Sequence, residues 1–125
     1  MKILLVDDNK DITTMLSKYF TQGGHSCSVS NSGHNGLNMI IANQYDAILL
    51  DLAMPEFSGT DIVNELFKSG KIAKLNIVAL TASSVSPEKD QELKEMGVHA
   101  VLKKPIDPDE LLDFLSQFNH KTVTA

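Results

Sequence analysis

The chain has 125 residues, enough for one domain with a buried core, and its composition of 42% hydrophobic and 22% charged residues is that of a globular protein. A formal net charge of −5 argues against a general nucleic-acid surface, because binding to phosphate backbones takes a clustered excess of Lys and Arg. Cys27 is the one cysteine, so an internal disulfide and a thiolate metal cluster are excluded. The first apolar run is too short for a signal peptide or a membrane span, and we expect a cytoplasmic protein.

Apolar runs alternate with amphipathic stretches along the chain. The first run, Lys2–Val6, predicts a buried strand, and apolar residues then recur at helical spacing, Met15 among them. Further strands are predicted at residues 26–30, 46–50, 76–80 and 99–102, each followed by a predicted helix. Phe67 belongs to the apolar side of the third helix, and Gly97 is predicted to end the fourth. We expect one domain over residues 1–119, and residues 120–125 as a polar tail or the start of a linker.

The strict alternation of strands and helices predicts an α/β fold with a doubly wound, five-stranded parallel sheet. The central strands are continuously apolar, as expected for strands that helices cover on both faces. In such sheets ligands bind beyond the carboxyl ends of the strands, where the strand order reverses. With the order 2-1-3-4-5, the residues that follow strands 1, 3, 4 and 5 meet in one crevice.

The predicted strands end in residues that carry chemistry, and only Asn31 and Ser32, after the second strand, offer none that is obvious. The candidates are Asp7 and Asp8, Asp51, Thr81, and Lys103 and Lys104. Three carboxylates in one crevice raise each other's pKa unless a counter-charge is present. A hard divalent cation bound by oxygen ligands relieves this repulsion, and Mg²⁺ suits a site with few carboxylates. A lysine and a threonine across the same crevice suit a phosphoryl group.

A carboxylate beside a bound cation can accept a phosphoryl group and become an aspartyl phosphate. Asp51 is the expected acceptor, because it follows the central strand between the carboxylates of the first strand and the Thr and Lys residues. Catalysis would then consist mostly of positioning and charge neutralisation.

Four segments at the ends of successive strands carry a family resemblance: "LLVDDN", "ILLDLAMPEFSG", "VALTAS" and "GVHAVLKKP". With them the chain, from Lys2 to about Phe118, resembles a response-regulator receiver domain of two-component signalling. The resemblance implies the flavodoxin-like (βα)5 receiver fold and a phosphorylation-activated switch rather than an enzyme acting on other substrates.

The resemblance also implies roles for the acidic residues. Asp51 would accept the phosphoryl group from a histidine kinase, a phosphotransfer protein or a small phosphodonor. Asp8 and Asp51 would bind Mg²⁺ directly, with Mn²⁺ as a substitute, and the backbone carbonyl of Ala53 would be a third protein ligand. Asp7 would act largely through water.

Further residues follow from the same resemblance. Thr81 would donate a hydrogen bond to the phosphoryl group, and Lys104 would pair with it. We choose Lys104 over Lys103 because the family lysine directly precedes the proline, here Pro105. The peptide bond between Lys104 and Pro105 is expected to be cis.

Three features depart from the family pattern. Val101 stands where an aromatic residue usually couples to the threonine, so transmission of the signal would rely on backbone and helix shifts. Ala53 and Ser83 are small residues at positions that tune dephosphorylation. His99 and Ala100 replace acidic residues that serve dimerisation in many DNA-binding regulators, and we do not favour that dimer here.

The partners follow from the resemblance only in outline. The signal would pass through the surface formed by the fourth helix, the fifth strand and the fifth helix. It would reach either a separate downstream protein or an effector domain that the chain lacks, and the sequence does not decide between these. We expect no direct binding to nucleic acid or to a membrane.

Simpler interpretations account for single residues. Asp8 or Asn9 can cap the first helix, and Lys103 fits a solvated lysine at a strand end. The histidines lack metal spacing and are expected at the surface; they are His25, His34, His99 and His120.

Three other functions fit the sequence less well. A degenerate receiver would bind partners without being phosphorylated, but the complete set of candidate residues argues against it. A small phosphohydrolase that uses an aspartyl phosphate would need an acid in place of Ala53. A nucleotide-binding enzyme is disfavoured because "VDDNKD", after the first strand, has no phosphate-binding glycine.

Overall fold

The computed structural model describes residues 1–82 and 85–118, in which five strands alternate with five α-helices. The strands are β1 (Lys2–Val6), β2 (Ser26–Ser30), β3 (Ala47–Asp51), β4 (Ile77–Thr81) and β5 (Ala100–Lys103). The helices are α1 (Lys10–Gln22), α2 (Gly33–Ala42), α3 (Gly59–Lys68), α4 (Pro87–Met96) and α5 (Pro108–Leu115), and short 3-10 helices cover Ile72–Lys74 and Ser116–Phe118. The predicted role of Ser83 and the predicted tail 120–125 lie outside the described residues.

The sheet is parallel, with the strand order β2-β1-β3-β4-β5 that the sequence predicts. Side chains of each central strand alternate between two cores, as the pleat requires. Leu4 and Ile48 join the core under α2, α3 and α4, whereas Leu5 and Leu49 join the core under α1 and α5. The sheet is therefore covered on both faces, and its carboxyl edge is left open for a site.

The helices correct one sequence-based expectation of detail and confirm another. Met15 and Phe67, predicted on apolar helical faces, are 46% and 51% exposed, because Leu16 and Leu66 beside them take the buried positions. Helix α4 is as predicted: the Ser86 side chain caps it, and Gly97 ends it at φ 120°. Among the described residues, no helix is both long and apolar enough to cross a membrane.

Candidate functional site

Three carboxylates meet at the carboxyl edge of the sheet. Asp7 and Asp8 follow β1 directly, and Asp51 is the last residue of β3, the neighbouring strand. One carboxylate oxygen of each lies within 4.8 Å of those of the other two. Asp7 and Asp51 are 4% and 5% exposed, whereas Asp8 is open to solvent. Two buried charges and one accessible charge thus face a common point.

The Lys104 side chain lies across the crevice from these acids. Its Nζ is 2.7 Å from Asp7 Oδ2 and 3.6 Å from Asp51 Oδ1. The Lys104 backbone N–H donates to the carbonyl of Thr81 at 2.7 Å, and the peptide bond to Pro105 is cis, as expected. The Lys103 side chain is exposed. Of the two candidate lysines, the structure brings Lys104 into contact with the acids.

Thr81 and Ala53 border the same crevice. Thr81 is the last residue of β4, next to β3 in the sheet, and is 7% exposed. The backbone N–H of Ala53 donates to Asp51 Oδ1 at 3.3 Å, which holds the loop after β3 against the carboxylate. The candidate residues at the ends of β1, β3, β4 and β5 therefore lie at one edge of the sheet, with Lys103 exposed beside Thr81.

The charge balance of the site is unfavourable to three ionised acids. Burial, and next the negative charge of Asp7, raise the pKa of Asp51 to about 6, against the opposing effect of Lys104. One ammonium group faces three carboxylates whose oxygens lie close together. An excess of negative charge on converging oxygen ligands fits a hard divalent cation such as Mg²⁺.

The cap of α1 and the acidic site use different residues. Asn9 is the cap: its Oδ1 accepts from the N–H groups of Asp11 and Ile12. Asp7 Oδ1 accepts from the Asn9 N–H at 2.9 Å and so fixes the turn. Asp8 is therefore not the capping residue, and its carboxylate stands among the other two.

Asn31 contributes to the site although the sequence offered no chemistry for it. Its side-chain amide donates to the backbone carbonyl of Asp7 at 2.7 Å and to Thr13 Oγ1 at 3.1 Å. Asn31 thus ties the end of β2 to the residue that pairs with Lys104. In the sequence, this role was indicated by the position of Asn31 directly after β2, at the same edge of the sheet as the other candidates.

Val101 borders a cavity of about 440 Å³ beside the site. Thr81, Pro87 and Leu102 also line this cavity, which lies between β4, β5 and the start of α4. Val101 and Thr81 thus line the same space.

Of the four histidines, His34 and His99 are exposed as predicted, whereas His25 is half-buried and its Nδ1 lies 2.9 Å from the N-terminal ammonium. His120 lies outside the described residues.

Comparison with known proteins gives a consistent picture. A family model described as the response regulator receiver domain matches residues 3–116. The transcriptional regulatory protein CusR of Escherichia coli is 34% identical over 112 residues, which are 90% of this chain and 48% of CusR. The chain spans about half the length of the curated relatives it matches.

Solved structures agree with the family model. The receiver domain of Francisella response regulator 1452 superposes with a TM-score of 0.85 at 29% identity, covering 97% of this chain and 98% of that one. The response regulator TrrA of Thermotoga maritima, solved in complex with Mg²⁺–BeF, has a TM-score of 0.77 at 28% identity and covers 94% and 99%.

Proposed function

The chain belongs to the response regulator receiver domain family, and on that premise we propose that it is a switch in which Asp51 is the phosphoacceptor. The observation that carries the proposal is the convergence of Asp7, Asp8 and Asp51 within 4.8 Å, with Lys104 Nζ 3.6 Å from Asp51. A nucleophilic carboxylate, a cation site and a fixed ammonium are the components that phosphoryl transfer needs.

In the proposed reaction, an Asp51 carboxylate oxygen attacks the phosphorus of the donor and forms a P–O bond. The P–N bond of a phosphohistidine, or the P–O bond of an acyl phosphate, breaks, and the leaving group takes the electron pair. Lys104, released from Asp7, would pair with the added phosphoryl oxygens, and the Thr81 hydroxyl would donate to them. Hydrolysis of the acyl phosphate by water would return the chain to its first state.

The acidic residues fit a bound Mg²⁺. Asp8 and Asp51 would be its direct carboxylate ligands and the Ala53 carbonyl a third ligand, with Asp7 acting through water. Support comes from the three converging carboxylates and from the Mg²⁺–BeF complex of the related TrrA. When bound, the ion would neutralise carboxylate and phosphoryl charge. Mn²⁺ also prefers oxygen ligands, so we expect it to substitute.

The partners are inferred from the family. A histidine kinase or a phosphotransfer protein would supply the phosphoryl group. The surface formed by α4, β5 and α5 would pass the signal to a separate protein or, since the relatives are about twice as long, to an effector domain. A domain over residues 1–119, followed at 120–125 by a polar tail or the start of a linker, is compatible with either arrangement.

Incubation with acetyl phosphate and Mg²⁺, followed by intact-mass measurement, tests the proposal. We expect the wild-type chain to gain the mass of one phosphoryl group, and Asp51→Asn to gain none. Asp113→Asn, at an exposed position on α5, is the matched control and should gain the adduct normally. Absence of the adduct from the wild-type chain would favour the phosphorylation-independent receiver, and continuous release of phosphate from general substrates would favour the phosphohydrolase.

A further inference from the structure

The loop between β3 and α3 contains a strained turn close to Asp51. Glu56 has φ 66°, which is unfavourable for a residue with a Cβ, and the Phe57 N–H donates to the Pro55 carbonyl at 2.7 Å across it. A strained turn persists only where its surroundings fix it. The contacts of this loop therefore indicate what holds Asp51 in place.

The base of the loop is fixed at the start of α3. The Gly59 N–H donates to the Leu52 carbonyl at 3.2 Å, and a Cβ added to Gly59 would overlap the carbonyl oxygen of Asp51. The Ser58 and Asp61 side chains cap α3 reciprocally. These contacts hold the end of the loop that leaves toward α3.

The turn itself is held by α2. The His34 and Phe57 rings stack with their centroids 4.3 Å apart and an angle of 21° between their planes. A Cβ added to the neighbouring Gly33 would overlap the carbonyl oxygen of Phe57, so α2 begins directly against the loop backbone. His34 is exposed and Phe57 is half-buried, so the His34 ring covers the Phe57 ring from the solvent side.

We propose that the His34–Phe57 stack positions the phosphoacceptor by holding this loop so that the Ala53 peptide stays beside the Asp51 carboxylate. The Ala53 N–H donates to Asp51 Oδ1 at 3.3 Å, and the same residue carries the carbonyl proposed as a metal ligand. His34 and Phe57 are positioning residues and do not touch the reacting atoms. The inference deepens the proposed function and rests on it.

The stack acts through ring contact, so its effect depends on the shape of residue 34 and not on a titratable group there. Removing the ring in His34→Ala lets the turn relax, so the Ala53 backbone is no longer held beside the Asp51 carboxylate. His34→Phe restores an aromatic face and should restore the position of the loop. Asn38→Ala, at an exposed position on the same helix, is the matched control.

The test measures Mg²⁺ binding to the unphosphorylated chain by titration calorimetry, with Mg²⁺ alone as the ligand, and the chemical shift of the Ala53 amide proton by NMR. We expect His34→Ala to weaken Mg²⁺ binding roughly two- to tenfold, as loss of one aromatic pair implies, and to shift the Ala53 amide. His34→Phe and Asn38→Ala should match the wild-type chain in both measurements.

Two outcomes would overturn the inference. One is a folded His34→Ala chain, checked by circular dichroism, with wild-type Mg²⁺ affinity and an unchanged Ala53 amide shift. The other is a His34→Phe chain as impaired as His34→Ala. Absence of the phosphoryl adduct from the wild-type chain would instead overturn the proposed function, while the Ala53 amide would still report on the stack.

Discussion

At the scale of single residues, Asp51 carries a negative charge that its surroundings oppose. Burial and the nearby Asp7 raise its pKa from 3.8 to about 6. Between about pH 4 and pH 6 the folded chain keeps a proton that the unfolded chain has released, so stability falls as the pH rises through this window. Above about pH 6 the folded chain bears the full free-energy cost of ionising Asp51.

Replacement of this charge should therefore stabilise the ion-free protein. We expect Asp51→Asn to raise the free energy of unfolding by about 1–3 kcal/mol at about pH 7.5 without Mg²⁺, with the gain shrinking as the pH falls toward about 4. Urea unfolding at several pH values measures the difference. An Asp51→Asn chain less stable than the wild type at about pH 7.5, or a gain independent of pH, would contradict this account of the site.

Lys104 is the counter-charge of the same cluster, and its loss should have the opposite effect. Lys104→Ala leaves Asp7 and Asp51 buried without their ammonium partner, and we expect unfolding free energy to fall by about 2–4 kcal/mol. Lys103→Ala, at an exposed position, should change it by less than about 0.5 kcal/mol. Equal losses for the two lysines in urea unfolding at about pH 7.5 would contradict the assignment of Lys104.

At the scale of elements, two adjacent residues at the start of α1, Asp8 and Asn9, have different roles. The Asn9 side chain accepts from two backbone N–H groups of the first turn, whereas the Asp8 carboxylate belongs to the acidic cluster. The stability of the helix and the affinity for a cation are therefore separable by single substitutions.

We expect Asn9→Ala to lower the free energy of unfolding by about 1 kcal/mol through loss of the cap. Asp8→Asn should instead leave stability within about 0.5 kcal/mol and weaken Mg²⁺ binding at least about tenfold, since it removes a charged ligand. Urea unfolding and calorimetric titration with Mg²⁺ distinguish the two variants. The reverse assignment would follow if Asp8→Asn destabilised the fold and left Mg²⁺ affinity unchanged.

The elements themselves were largely predictable because their signals are local. Continuous apolar runs marked the strands, and Pro87 with Gly97 marked both ends of α4. Exposure was less predictable: Met15 continues an apolar pattern but lies 46% exposed beside the buried Leu16. Which residue of a helical stripe reaches the core depends on how the helix sits on the sheet, and no local pattern records that.

At the scale of the whole molecule, the topology creates the site. Asp7 and Lys104 are 97 positions apart in the chain, yet their side chains form a 2.7 Å ion pair. The carboxyl ends of β1, β3, β4 and β5 meet at one edge because the sheet is parallel and the strand order reverses beside β1. A chain that folds in this order brings together candidate residues that are far apart in the sequence.

The candidate residues could be predicted from the strand ends, but their interactions could not. The strand ends alone offered both Lys103 and Lys104, and the choice of Lys104 came from the family resemblance, while the cap of the first helix was left open between Asp8 and Asn9. The sequence also did not indicate that Asn31 would donate to the Asp7 carbonyl, or that His34 would stack on Phe57. Each of these depends on the distance between two loops from different parts of the chain, which the spacing of residues within one loop does not determine.

Because the proposed ligands come together only in the folded chain, Mg²⁺ should stabilise the whole domain. At free Mg²⁺ about tenfold above its dissociation constant, we expect the free energy of unfolding to rise by about 1.4 kcal/mol. Urea unfolding with and without Mg²⁺ measures the rise, and Asp51→Asn should lose most of it. An equal rise in Asp51→Asn would indicate that the ion binds elsewhere.

The most direct test of the central claim locates the phosphoryl group on the chain. Borohydride reduces an aspartyl phosphate to homoserine, and trypsin separates residues 3–10, which hold Asp7 and Asp8, from residues 19–68, which hold Asp51. After treatment with acetyl phosphate and Mg²⁺, reduction and digestion, we predict homoserine at position 51 in the 19–68 peptide. Homoserine at position 7 or 8, or at no position, would contradict the assignment of Asp51 as the phosphoacceptor.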